Sequence, residues 1–215
     1  MNRSVRFVLA AAVLVLAGCA TTRPVDMKEP RRLVGTENGV RVDAQITTEQ
    51  LSPASSIAVT YDITNERNMS IGVADLVPET AYDPETQTVT ITFGSEVPGD
   101  SFLPRLIVIP PGAKKSFSSR ANVNVQAVGN SVAGSFGHFP NGLRVKLHFL
   151  ADLQAFAPLI GIQEKSIHDP KLADALLPKW LEDNETVITN VLPMRWVGAF
   201  GADDEGAAVR RRQHP

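Results

Sequence analysis

Ile57-Ala58-Val59-Thr60-Tyr61-Asp62-Ile63, IAVTYDI, alternates large apolar side chains with small or polar ones. A period of two matches an extended strand, whose successive side chains point to opposite faces; on a helix the apolar positions would recur every three to four residues. One face of the segment therefore belongs in a core and the other in water. The same period recurs on both sides. Upstream lie Val40, Val42, Ala44 and Ile46; downstream lie Val89, Ile91 and Phe93, then Phe117, Ala121, Val123 and Val125, then Val145, Leu147 and Phe149. A succession of half-buried strands predicts an all-β protein with antiparallel sheets packed as a sandwich.

Between the strands lie clusters rich in Pro, Gly, Asn and Asp, including LSPASS at 51–56, YDPETQ at 82–87 and FPNGL at 139–143. Proline presets the backbone angle at the second turn position, and Gly or Asn tolerates positive φ, so each cluster can reverse the chain. Leu106-Ile107-Val108-Ile109 is apolar without alternation and reads as a strand covered on both faces. It turns at Pro110-Pro111-Gly112 and resumes as Lys114 to Ala127. A strand ending in Pro-Gly, followed by a long strand of small and polar residues, is similar to what immunoglobulin-like modules show, although the hallmark residues of antibody domains are missing. The resemblance implies architecture alone: an immunoglobulin-like antiparallel β-sandwich over residues 36–200.

A short helical insertion is expected at 170–182. Asp169 is suited to the N-cap and Pro170 to the first helical position. Leu172, Leu176 and Trp180, with Ala173, Leu177 and Leu181, form an apolar stripe at helical spacing. Pro178 interrupts it, and a proline inside a helix removes a backbone bond at a cost of about 3 kcal/mol, so a kink or two short helices are expected there. Thr186 to Val197 returns to strand character, with Pro193 suggesting an edge or a bulge.

The N-terminus carries a different signal. Arg3 and Arg6 precede an uninterrupted apolar run from Phe7 to Leu16, the pattern of a secretory signal. The run is too short to span a bilayer, which takes roughly 20 apolar residues. Leu16-Ala17-Gly18-Cys19 resembles the lipobox of bacterial lipoproteins, and Cys19 is the single cysteine of the chain. The resemblance implies that residues 1–18 are a cleaved signal peptide and that Cys19 becomes an N-terminus carrying a thioether lipid. Membrane lipid is then the first partner, since two or three acyl chains, at about 0.8 kcal/mol per buried methylene, anchor a protein that does not span. Ala20 is not the aspartate that in this class often marks inner-membrane retention, so an outer-membrane, periplasm-facing location is expected. Residues 19–35 read as the lipidated N-terminus and a flexible tether, and 201–215 as a disordered tail.

Removal of residues 1–18 takes away two arginines and no acid, so the formal balance moves from 21 minus 23 to 19 minus 23. A mildly acidic chain without a basic stripe excludes nucleic acid as an expected partner. Without a second cysteine, neither a disulfide nor a thiolate metal site is expected. The four histidines, His138, His148, His168 and His214, show no metal-ligand spacing. No serine sits in a Gly-x-Ser-x-Gly elbow, and no catalytic, cofactor-binding or metal residue is assigned. The candidate binding loop is the Gly-rich stretch 127–142, with Asn130, His138 and Phe139, since binding residues concentrate on loops held by rigid scaffolds. The expected function is a non-catalytic binding or assembly module that contacts another envelope protein. Alternatives are an envelope hydrolase with a dispersed site including His138 or His148, and a purely structural lipoprotein.

Overall fold

The computed structural model describes residues 31–52, 54–98, 102–124 and 139–197. The signal segment, Cys19, Asn130, His138 and residues 201–215 lie outside these. In chain order the strands are β1 (Arg31–Glu37), β2 (Val40–Ile46), β3 (Gln50–Leu51), β4 (Ala54–Asn65), β5 (Ile71–Ala74), β6 (Glu79–Asp83), β7 (Thr88–Phe93), β8 (Phe102–Pro104), β9 (Leu106–Ile109), β10 (Lys114–Asn124), β11 (Gly142–Leu150), β12 (Ser166–His168), β13 (Asn184–Ile188), β14 (Leu192–Pro193) and β15 (Arg195–Trp196). One α-helix, α1 (Pro170–Asp183), lies between β12 and β13.

The fold is an all-β sandwich with a short helical insertion. One sheet has the order β1-β2-β4-β10, and the other runs β6-β7-β11-β5-β9, with β13 and β14 also paired to β11. The register explains the alternation. Val42 faces Ile63, Ala44 faces Tyr61 and Ile46 faces Val59, so the apolar residues of β2 and β4 fall in matching rows on one side of the sheet, all of them buried. Slipping either strand by one residue would send that whole row to water. Tyr61 on β4 stacks on Phe93 of the opposite sheet at 4.0 Å between ring centroids, and on Phe117 of its own sheet at 5.0 Å.

Two pairings depart from the antiparallel expectation. β7 runs parallel to β11 from Gly142↔Thr88 to Leu147↔Phe93, and β15 runs parallel to β3. A parallel neighbour needs a long crossover, and β8 to β10 and the segment that follows supply it. β11 has neighbours along both of its edges, with β13 antiparallel to it from Lys146↔Ile188 to Leu150↔Asn184. Its apolar content comes from its faces: Leu143, Val145, Leu147 and Phe149 lie in the sandwich core and Leu150 in a smaller cluster under the helix.

A second, smaller core lies under the helix. Leu106, Leu150, Phe156, Leu159, Leu176 and Trp180 are buried together there, with Ile167, Leu172 and Ala173 packed against them. Leu106 belongs to this cluster and Ile109 to the sandwich core, so β9 is covered on both faces. Asp169 accepts a hydrogen bond from the Leu172 backbone N–H at 3.0 Å, capping α1.

The break expected at Pro178 does not occur: α1 runs unbroken from Pro170 to Asp183. Pro178 lies on the exposed side of the helix, as does Asp174, whose carbonyl loses its intrahelical donor. Water can reach that carbonyl, which removes the reason for a break. The apolar stripe is also narrower than its spacing suggests. Leu176 and Trp180 are buried, but Leu177 and Leu181 are exposed.

The boundary of the tether shifts as well. β1 begins at Arg31, inside the stretch 19–35 read as a leash, and pairs with β2 along its full length, from Arg31↔Ile46 to Glu37↔Val40. Its inward row is Arg31, Leu33 and Gly35. A row with only one large apolar side chain carries no visible period.

Candidate functional site

The descending end of the Gly-rich stretch is held at one end of the sandwich. Asn141 N–H donates to the Gln87 carbonyl at 2.9 Å, and Met194 N–H donates to the Asn141 carbonyl at 2.8 Å. These bonds bring Phe139 over Trp196, with parallel-stacked rings 5.6 Å apart at 17°. Phe139 is 51% exposed. An aromatic pair held against solvent by backbone bonds is a preformed apolar contact surface. Of the three residues proposed for the binding loop, Phe139 is thus placed at a structured surface, whereas Asn130 and His138 fall outside the described residues.

Trp196 belongs to a two-stranded ribbon that closes the same end. β15 pairs with β3 so that Arg195 lies opposite Gln50 and Trp196 opposite Leu51. Arg195 N–H donates to the Glu49 carbonyl at 3.0 Å, and Val197 N–H to the Leu51 carbonyl at 2.7 Å. Under this ribbon a cleft of about 240 Å³ is lined by Arg31, Glu49, Gln50, Pro193, Met194 and Arg195. Its volume is below the roughly 300–1,000 Å³ of sites that enclose whole drug-sized ligands, so it suits one small polar group.

Arg31 gives the cleft its chemistry. It continues the inward row of β1 at the strand end, is 8% exposed, and its Nε has no hydrogen-bond partner. Leaving a buried N–H unpaired costs about 1–3 kcal/mol, more on a charged group, so this atom is an unused donor, enclosed by protein, on a side chain that lines the cleft. Arg195 and Glu49 add one charge of each sign on exposed side chains. In the sequence Arg31 is one of four tether cations, with Arg23, Lys28 and Arg32, whose charge suits anionic lipid phosphates, whereas nothing there marks Arg195 or the strand that carries Arg31. The available signal was Asn38-Gly39, the residue pair favoured in two-residue hairpins, which would have extended the sheet back through Arg31.

Neither of the described histidines, His148 and His168, lines this cleft. His148 is buried, with Nδ1 2.9 Å from the Asn184 side-chain oxygen. The Asn184 amide nitrogen already donates to the Ser95 and Glu96 carbonyls. Its oxygen must therefore accept, which puts the proton of the neutral ring on Nδ1. Burial, opposed by the Asn184 hydrogen bond, holds the His148 pKa below the ordinary histidine value. His168 is exposed, with its ring 4.9 Å from that of Phe102. Among the described residues no group of three or more His, Cys, Asp or Glu side chains is placed to hold a metal ion. No described helix is long and apolar enough to cross a membrane. The chain matches no family model, no curated protein and no solved structure.

Proposed function

We propose that the chain is a lipid-anchored binding or assembly module of the bacterial envelope, tethered through acylated Cys19 and facing the periplasm from the outer membrane, that contacts another envelope protein. The observation that carries this reading is the Phe139–Trp196 stack. Large aromatic side chains dominate the energetics of protein contacts, because they bury much area at little entropic cost. Here Phe139 is half exposed while Trp196 is partly buried against the sandwich core, and the stack is pinned by the Met194–Asn141 bond, so little further ordering is needed on binding. Trp196 is followed directly by the exposed Val197, which enlarges the apolar area.

The test is photo-crosslinking of the full chain in intact envelopes. A benzophenone side chain in place of Phe139 is expected to capture one discrete protein, and the same group in place of Glu182, on the exposed side of α1, is not. Equal labelling from both positions, or none from position 139, would refute the contact.

A further inference from the structure

We infer that the cleft lined by Arg31 and Arg195 binds the phosphoethanolamine headgroup of a membrane phospholipid, with phosphate on the two guanidinium groups and ammonium on Glu49. The choice of a lipid as the source of that phosphate rests on the reading of Cys19 as the acylated anchor.

The first support is the state of Arg31. Arginine on the inward row of a strand is costly unless something satisfies it. Its Nε is the single buried side-chain polar atom without a partner among the described residues. The Arg31 side chain lines the cleft, so a turn of its guanidinium brings it to an anionic oxygen there, and the planar fork suits two oxygens of one phosphate.

Charge selects the rest of the ligand. Among the described residues the ion pairs engage none of Arg31, Arg195 and Glu49, yet all three line one cleft. A site with two cations and one carboxylate is mismatched to a simple polyanion. It is complementary to a group that carries a phosphodiester and an ammonium a few bonds apart. The volume, about 240 Å³, seats such a headgroup and leaves the acyl chains outside.

Connectivity then favours a membrane source. Roughly 12 residues separate Cys19 from Arg31, a reach of at most about 40 Å even when fully extended, and on the order of 20 Å as a coil. The cleft is lined by Arg31, the first residue of β1, and by Arg195, which directly precedes Trp196 of the aromatic pair. Aromatic rings next to guanidinium groups are the side chains that settle at headgroup depth.

The experiment is calorimetric titration of the folded full chain in a maltoside detergent. The probes are dihexanoyl-phosphatidylethanolamine, dihexanoyl-phosphatidylglycerol and inorganic phosphate. Saturable binding of the ethanolamine lipid is expected, weakened at least tenfold by Arg31→Gln and by the surface variant Arg195→Gln, whose exposed position spares the fold. Glu49→Gln is expected to abolish the preference for ethanolamine over glycerol headgroups while binding of the glycerol lipid persists. Absence of saturable binding overturns the inference, as does an affinity unchanged in both arginine variants. Inorganic phosphate binding as tightly as the lipid, indifferent to Glu49→Gln, would make this a free-phosphate site and overturn the headgroup assignment. The Cys19→Ser chain is expected to bind the short-chain lipid as the parent does. An unacylated Cys19 found by mass spectrometry alongside intact headgroup binding would sink the anchor alone, and acylation without binding would sink the cleft alone.

Discussion

His148 on β11 and Asn184 at the start of β13 are joined by a 2.9 Å hydrogen bond between Nδ1 and the asparagine oxygen. The Asn184 amide carries the connection on to the Ser95 and Glu96 carbonyls, and Trp180 Nε1 donates to the same Ser95 carbonyl at 3.2 Å. One buried imidazole thus ties the central strand to the helix and to the turn after β7. Because burial lowers its pKa in the fold, the unfolded chain takes up a proton first as pH falls below about 6.5. Between that value and the lower folded pKa the unfolded state binds more protons, so stability rises with pH across the window and is lost on acidification. Urea midpoints at pH 7.5 and 5.5 are expected to differ less in His148→Gln than in the parent; an identical difference would exclude this residue as the cause.

Gly94, immediately after β7, has φ of +73°, and a Cβ there would collide with the His148 backbone carbonyl. Gly94→Ala therefore meets both the left-handed penalty of about 1–2 kcal/mol and a clash with backbone that has no room to yield. Gly112, at φ +68°, faces open space, so Gly112→Ala isolates the conformational part. The melting temperature is expected to drop further for Gly94→Ala, and equal drops would show that the close approach is immaterial.

Trp180 fills the small core, edge-on to Phe156 at 5.6 Å and 87°. Trp180→Ala should cost about 3–5 kcal/mol in chemical denaturation, as large-to-small core changes do. Leu181, its neighbour on the helix, is 57% exposed, and Leu181→Ala should stay within about 0.5 kcal/mol of the parent. Similar losses in both would contradict a helix that buries only its Leu176–Trp180 edge.

Pro178 sits in an unbroken helix on the solvent side. Pro178→Ala restores a backbone donor and removes a penalty of about 3 kcal/mol, set against about 0.4–1 kcal/mol of lost chain stiffness in the unfolded state. The net expectation is a gain of about 2 kcal/mol, read as a higher urea midpoint. A loss of stability would mean that the proline ring packs in a way its exposure conceals.

Acylation of Cys19 is expected to hold the native chain in the envelope fraction, and Cys19→Ser to release it, because the acyl chains are the proposed attachment. Unchanged sedimentation of the variant with membranes would point to attachment by other contacts.

Period-two alternation made β2, β4, β7 and β11 legible because each places several large side chains on one buried face. The Asp169-Pro170 start of α1 was legible for a similar local reason, since capping is settled within one turn. β1 was not legible. Its inward row of Arg31, Leu33 and Gly35 becomes a strand only by pairing with β2. Phe139 was picked out as part of a loop, but its partner Trp196 comes from the far end of the chain.

Side-chain order along the backbone was thus enough to establish an all-β class with one short helix, since which face of a strand is wet depends only on near neighbours. Which strands became neighbours, the parallel course of β7 beside β11, and the meeting of Arg31 with Arg195 in one cleft came from packing two sheets together. Such contacts join residues that are remote in the chain, and a periodicity counted over a few residues carries no information about them.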